Sequence, residues 1–68
     1  MNESRTFEEA QRELERIVSQ LEGGRASLED AVALWERGDE LYRYCLERLD
    51  SAEGKIEELG DRIEEARP

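Results

Sequence analysis

Histidine is absent from all 68 residues. With it goes the side chain most often used as a general base near neutral pH and as a metal ligand. Ser4, Ser19, Ser27 and Ser51 have no imidazole to activate them, which excludes a hydrolase triad. Cysteine occurs once, at Cys45, so no disulfide can form within the chain. Set among Leu41, Tyr42 and Leu49, Cys45 reads as a small hydrophobe and not as a reactive thiol. Long apolar runs are missing as well. Met1-Asn2-Glu3-Ser4-Arg5 contains none, so the expectation is a cytoplasmic chain with neither signal peptide nor membrane span. Without a secretory route, Asn2-Glu3-Ser4 is a chance match to a glycosylation acceptor.

Basic residues are scarce: 10 against 19 acids, a net charge of −9. Affinity for nucleic acid is mostly phosphate neutralisation by clustered Lys and Arg, so direct binding to DNA or RNA is not expected. Arg12 and Arg16 are one turn apart but flanked by Glu8, Glu9, Glu13 and Glu15, the pattern of a solvated helix face. Pairs such as Glu8–Arg12 and Glu58–Arg62 have the spacing that supports a helix from its own surface. Adjacent carboxylates at Glu8-Glu9, Glu57-Glu58 and Glu64-Glu65, and the one-turn pair Glu36–Glu40, lack the enclosed pocket that catalytic metal binding needs. No catalytic, metal or cofactor site is expected, and no intrinsic enzyme activity.

Leu, Ile, Val and Phe make up only 14 of the 68 residues, while 43% of the chain is charged. Composition alone leans towards disorder. Arrangement overrules it. Phe7, Ala10, Leu14, Ile17 and Leu21 form one stripe of alternating three- and four-residue steps. Leu28, Ala31, Trp35, Gly38, Tyr42, Cys45, Leu49, Ala52, Ile56, Leu59 and Ile63 form a second, unbroken one. Such steps keep side chains on one narrow face of an α-helix.

The expected fold is all-α: a single domain over residues 1–68, built as an antiparallel two-helix hairpin with a longer second helix and coiled-coil-like self-association. The first helix covers about 7–22, the turn 23–27, the second helix about 28–59, and a frayed tail 60–68. Thr6 with Glu9 three residues on has the form of a capping box. Gly23-Gly24 supplies the left-handed residue that ends helices, and Ser27 caps the next one, with Glu29 and Asp30 in its first turn. A short loop favours antiparallel neighbours. The hairpin core is assigned to Phe7, Ala10, Leu14, Ile17, Leu21, Leu28, Leu34 and Leu41, with Val32 widening the same face.

That arrangement creates a mismatch. The first helix spans about 24 Å and the second about 48 Å, so from about Cys45 onward the stripe lacks a partner. Leaving Leu49, Ile56, Leu59 and Ile63 bare forfeits about 1.5–3 kcal/mol each. Trp35, Gly38, Tyr42, Cys45, Leu49, Ala52, Ile56 and Leu59 are therefore assigned to a partner or to a second copy, giving a homo-oligomer when isolated. Gly38 costs about 1 kcal/mol in a helix, a cost explained by another helix approaching closely. Gly54 and Gly60 lie beside the stripe and predict fraying at the far end.

Phe7-Glu8-Glu9-Ala10, Leu14-Glu15-Arg16-Ile17-Val18 and Leu21-Glu22-Gly23-Gly24 resemble the first helix and turn of the exodeoxyribonuclease VII small subunit family. Ser27-Leu28-Glu29-Asp30-Ala31-Val32-Ala33-Leu34-Trp35-Glu36-Arg37-Gly38 continues the likeness, and Cys45, Leu49, Ala52, Glu53 and Ile56 match its heptad tail. The resemblance covers about residues 6–59. It departs at Ala26, where the family more often carries a larger apolar residue, implying looser packing at the turn. The resemblance implies several small subunits on the helical region of a large catalytic subunit, in a complex that degrades single-stranded DNA to oligonucleotides. The active site would belong to the large subunit. Two other readings stay open: a generic helical-hairpin adaptor, and an acidic DNA mimic, against which the intermixing of acids and bases counts.

Overall fold

A computed structural model describes residues 3–48 and 54–68, with side chains from residue 7 onward. Among the described residues there are three α-helices and no strand: α1 (Glu3–Gly23), α2 (Leu28–Glu47) and α3 (Gly54–Glu65). α1 starts earlier than the capping box implies. Thr6 lies inside it, because Glu3-Ser4-Arg5 contains no helix breaker and the backbone extends through it. At the other end Gly24 adopts φ +71°, the left-handed turn residue, and its N–H reaches the Leu21 carbonyl at 3.2 Å. Ser27 caps α2 as expected, its Oγ accepting from the Asp30 N–H at 3.1 Å.

The long second helix does not form. α2 stops at Glu47, where the Arg48 N–H closes back onto the Cys45 carbonyl at 3.1 Å. At 20 and 21 residues, α2 and α1 are closely matched in length. The last part of the stripe, Ile56, Leu59 and Ile63, is carried by α3, which folds back onto the hairpin. Ile56 and Leu59 are completely buried and Ile63 nearly so. Magnitudes favour this packing over a straight continuation: burying three such side chains is worth about 1.5–3 kcal/mol each, against about 1 kcal/mol net for a backbone hydrogen bond. The tail expected to fray is helical to Glu65, and Gly60 is buried within it. Leu49 and Ala52 lie outside the described residues.

One core serves all three helices: Ala10, Leu14, Ile17 and Val18 from α1, Leu41 and Cys45 from α2, and Ile56, Leu59 and Ile63 from α3. Phe7, Leu21, Leu34, Trp35 and Tyr42 pack around it half-buried. Val18, absent from the sequence-based core, is fully buried because α3 covers a second flank of α1. Leu28, assigned to the core, is 72% exposed, and Val32 is exposed too. Both lie on the outer side of α2, where α1 does not reach.

Two glycines set the distance between α2 and α3. A Cβ on Gly38 would stand 2.7 Å from Ile63 Cδ1 and 3.2 Å from Ile17 Cγ2; one on Gly60 would fall against the Tyr42 ring. Gly38 therefore does admit another helix, and that helix belongs to the same chain. Gly60→Ala should lower stability although alanine is the better helix former, because the rigid Tyr42 ring must move. Gly38→Ala should cost less, since the flexible end of Ile63 can yield. Gly23→Ala, with nothing within 4 Å, should gain up to about 1 kcal/mol. Urea unfolding of the three variants checks the order; equal gains from all three would mean that α3 does not pack this closely.

Candidate partner-binding surfaces

The residues assigned to a partner divide by position. Gly38, Cys45, Ile56 and Leu59 are buried inside the chain, and Trp35 and Tyr42 are half-buried. Cys45 is inaccessible, and burial pushes its thiol above the ordinary value. Among the described residues, the large apolar side chains left exposed are Leu28, Val32 and Leu46, all on α2. No three His, Cys, Asp or Glu side chains among those residues are placed to hold a metal ion.

Polar contacts fasten α3 to both other helices. Trp35 Nε1 donates to the Ile63 carbonyl at 2.7 Å. That carbonyl lies in the last turn of α3, where helix acceptors lack intrahelical donors, so an indole from α2 acts as its cap. The Arg67 guanidinium then lies 4.8 Å from the centre of the Trp35 ring. On the α1 side, Arg62 forms a two-pronged bridge to Glu22 at 2.7 and 2.9 Å, and Lys55 meets Glu15 at 3.0 Å. Both partners advance by seven residues, so α3 runs parallel to α1. The spacing Glu58–Arg62 predicts a pairing within the helix; the Glu58 charge does favour the Arg62 cation, but the two-pronged hydrogen bond of Arg62 crosses to Glu22 of α1.

Arg37 joins α2 to α1 by a second two-pronged bridge, to Glu13 at 3.1 and 3.2 Å. These two residues are nearly equidistant from the turn, as antiparallel neighbours should be. The Arg37 hydrogen bonds hold the Glu13 carboxyl below the usual glutamate range, aided by the charges of Arg37 and Arg16. Arg62 does the same for Glu22.

An open cleft of about 950 Å³ lies beside this bridge, between α1 and α2 near the turn. Arg16, Arg25 and Arg37 line it with Asp30, over Gly23, Ala26, Ala33 and Leu34. No α3 residue contributes. Sequence order disperses these arginines; only the hairpin register brings them to one opening.

A family model described as exonuclease VII small subunit matches residues 7–58, which take in most of α1, all of α2 and the first turn of α3. This chain belongs to the exonuclease VII small subunit family. An exodeoxyribonuclease 7 small subunit from Paracoccus zeaxanthinifaciens is 52% identical over 54 residues, covering 79% of this chain and 69% of its own length. One from Gluconacetobacter diazotrophicus is 44% identical over 61 residues, covering 90% and 80% respectively. One from Listeria innocua is 46% identical over 63 residues, covering 87% and 84%. No solved structure matches the chain. No described helix of this exonuclease VII small subunit family member is long and apolar enough to cross a membrane.

The bridges make a pH-dependent contribution of definite sign. A glutamate whose folded pKa is depressed stabilises the fold above its unfolded value and loses that effect as pH falls through the folded one. Glu13 should titrate below the ordinary 4.5, and Arg37→Gln should return it towards that value. Carboxyl chemical shifts followed by NMR test this; an unmoved Glu13 midpoint in the variant would exclude Arg37 as the cause.

Proposed function

We propose that this chain is the non-catalytic subunit of a two-component exodeoxyribonuclease. It binds the helical region of a large catalytic subunit and supports degradation of single-stranded DNA to oligonucleotides. The observation that carries this reading is the family match across residues 7–58, with relatives that are themselves named small subunits. The chain contributes surface, while the chemistry of phosphodiester cleavage belongs to its partner. With a net charge of −9, it leaves the grip on DNA to the large subunit as well.

Contact through the stripe from Trp35 to Leu59 carries a condition. Ile56 and Leu59 reach a partner only if α3 leaves the hairpin, at a cost of about 1.5–3 kcal/mol for each side chain uncovered. Leu28, Val32 and Leu46 require no such opening.

Self-association of the isolated chain uses those exposed α2 residues. Nine excess negative charges repel when copies meet. Moderate salt, which shortens the screening length to about 8–10 Å, should strengthen the association. Sedimentation equilibrium at micromolar concentration checks this, and a monomer at both low and moderate salt removes self-association from the reading.

The functional test is degradation of labelled single-stranded DNA. Alone, the chain should neither cut nor retain the DNA at physiological salt. Added to the large subunit encoded by the same genome, it should raise exonuclease activity. A large subunit that is equally active and equally well dispersed without it would leave a generic helical adaptor in its place.

A further inference from the structure

α3 covers one flank of the α1–α2 hairpin, and the opposite flank opens as the arginine-lined cleft. Their positions on α1 make this explicit. Glu15 and Glu22 face α3 through Lys55 and Arg62, while the cleft takes the next residue round, Arg16. One residue turns a helix by about 100°, enough to move from one flank towards the other.

The cleft is electrostatically out of character with the chain. The protein has 19 acids and 10 bases, yet three arginines line this opening against one carboxylate, Asp30. Arg37 is held by Glu13. Arg16 and Arg25, like Arg12 outside the cleft, make no ion pair among the described residues, whereas Arg43, Lys55, Arg62 and Arg67 do. Between the arginines lie Ala33, which is exposed, and Leu34, which is half-buried. Short side chains of this kind let helix axes come within about 8–10 Å. Two cations with no described carboxylate at bridging distance, Arg16 acting on the already bridged Glu13 only through its charge, stand beside an apolar floor. They suit a helix that brings its own carboxylates along the edges of an apolar or small-residue stripe.

We infer that this cleft is the seat for such an acidic-edged helix of the large subunit, which takes the fourth place in a bundle whose third is filled by α3. The inference rests on the proposed function and names the surface that performs it. Arg16 and Arg25 meet carboxylates at the rim, and Ala33 and Leu34 receive the apolar stripe. Because the charges are at the rim, they govern the rate of encounter and its salt dependence, and binding weakens as salt rises.

Binding of the full chain to the purified large subunit tests this, by calorimetry at two salt concentrations. The variants are Arg16→Glu, Arg25→Glu and Ala33→Trp, the last filling the cleft without touching charge. Arg43→Glu makes the same charge change outside the cleft. Circular dichroism confirms that each variant keeps its helix content. The three cleft variants should bind about tenfold more weakly or worse, the two charge variants with a shallower salt dependence, and Arg43→Glu should bind as the parent chain does. Parent-like binding by all three cleft variants overturns the groove and leaves the small-subunit role intact. Equal weakening by Arg43→Glu overturns it in favour of net charge alone. Loss of self-association with undiminished large-subunit binding overturns it in favour of a second copy as occupant. A parent chain that does not bind the large subunit removes the proposed function and the groove with it.

Discussion

Burying Ile56, Leu59 and Ile63 requires the α3 backbone to approach α2 more closely than two ordinary side chains allow, and Gly38 and Gly60 give that clearance from opposite sides. Ile63 enters the space above Gly38, and the Tyr42 ring lies over Gly60. The exchange is reciprocal, a projection from each helix fitting a recess on the other. The rest of the bundle depends on it. With only 14 large aliphatic and phenylalanine side chains in the whole sequence, a small domain has little apolar area to bury, and losing the α3 contribution would leave a hairpin alone.

Polar contacts then decide how α3 lies within that space. Lys55, the only lysine, and Arg62 bind α1 two helical turns apart, while Trp35 holds the far end through the Ile63 carbonyl. Exposed ion pairs add little stability individually. Their value here is in register: a one-turn slide of α3 would separate both cations from Glu15 and Glu22 and withdraw the carbonyl from the indole. In a strongly acidic chain, each base placed between helices also removes a repulsion that would otherwise oppose compaction.

Much of this fold was legible in the residues because helix periodicity is a local property. The apolar stripe of α1, the Gly24 turn and the Ser27 cap each depend on neighbours within a few positions, and each appears in the structure. Of the second stripe, Trp35, Gly38, Tyr42, Cys45, Ile56, Leu59 and Ile63 turn inward while Leu28 does not. The end of α2 at Glu47 was not legible, since an unbroken three-four pattern fits one long helix and two packed helices equally well. What decides between them is the free energy of a contact between distant segments, which no local pattern contains. Val18 was overlooked for the same reason: its burial exists only once α3 arrives. Gly60 read as a weak point because its packing against Tyr42 joins two different helices. The cleft arginines at positions 16, 25 and 37 share an opening only after the hairpin sets its register. Membership of the exonuclease VII small subunit family, by contrast, was carried by order and spacing along residues 7–58, which need no folding to be read.

Trp35 is the only tryptophan in the chain, and its indole N–H is bonded to the helix that packs last in sequence order. The molecule thus has a native optical reporter at the one junction that distinguishes the closed bundle from a bare hairpin. When α3 is in place, the fluorophore is half-buried, hydrogen-bonded to a carbonyl and overlain by a guanidinium. When α3 is absent, it faces water on that side. Emission wavelength and quenching by a soluble agent therefore follow the docking of the third helix separately from the total helix content, in an unlabelled protein and at the concentrations where assembly occurs.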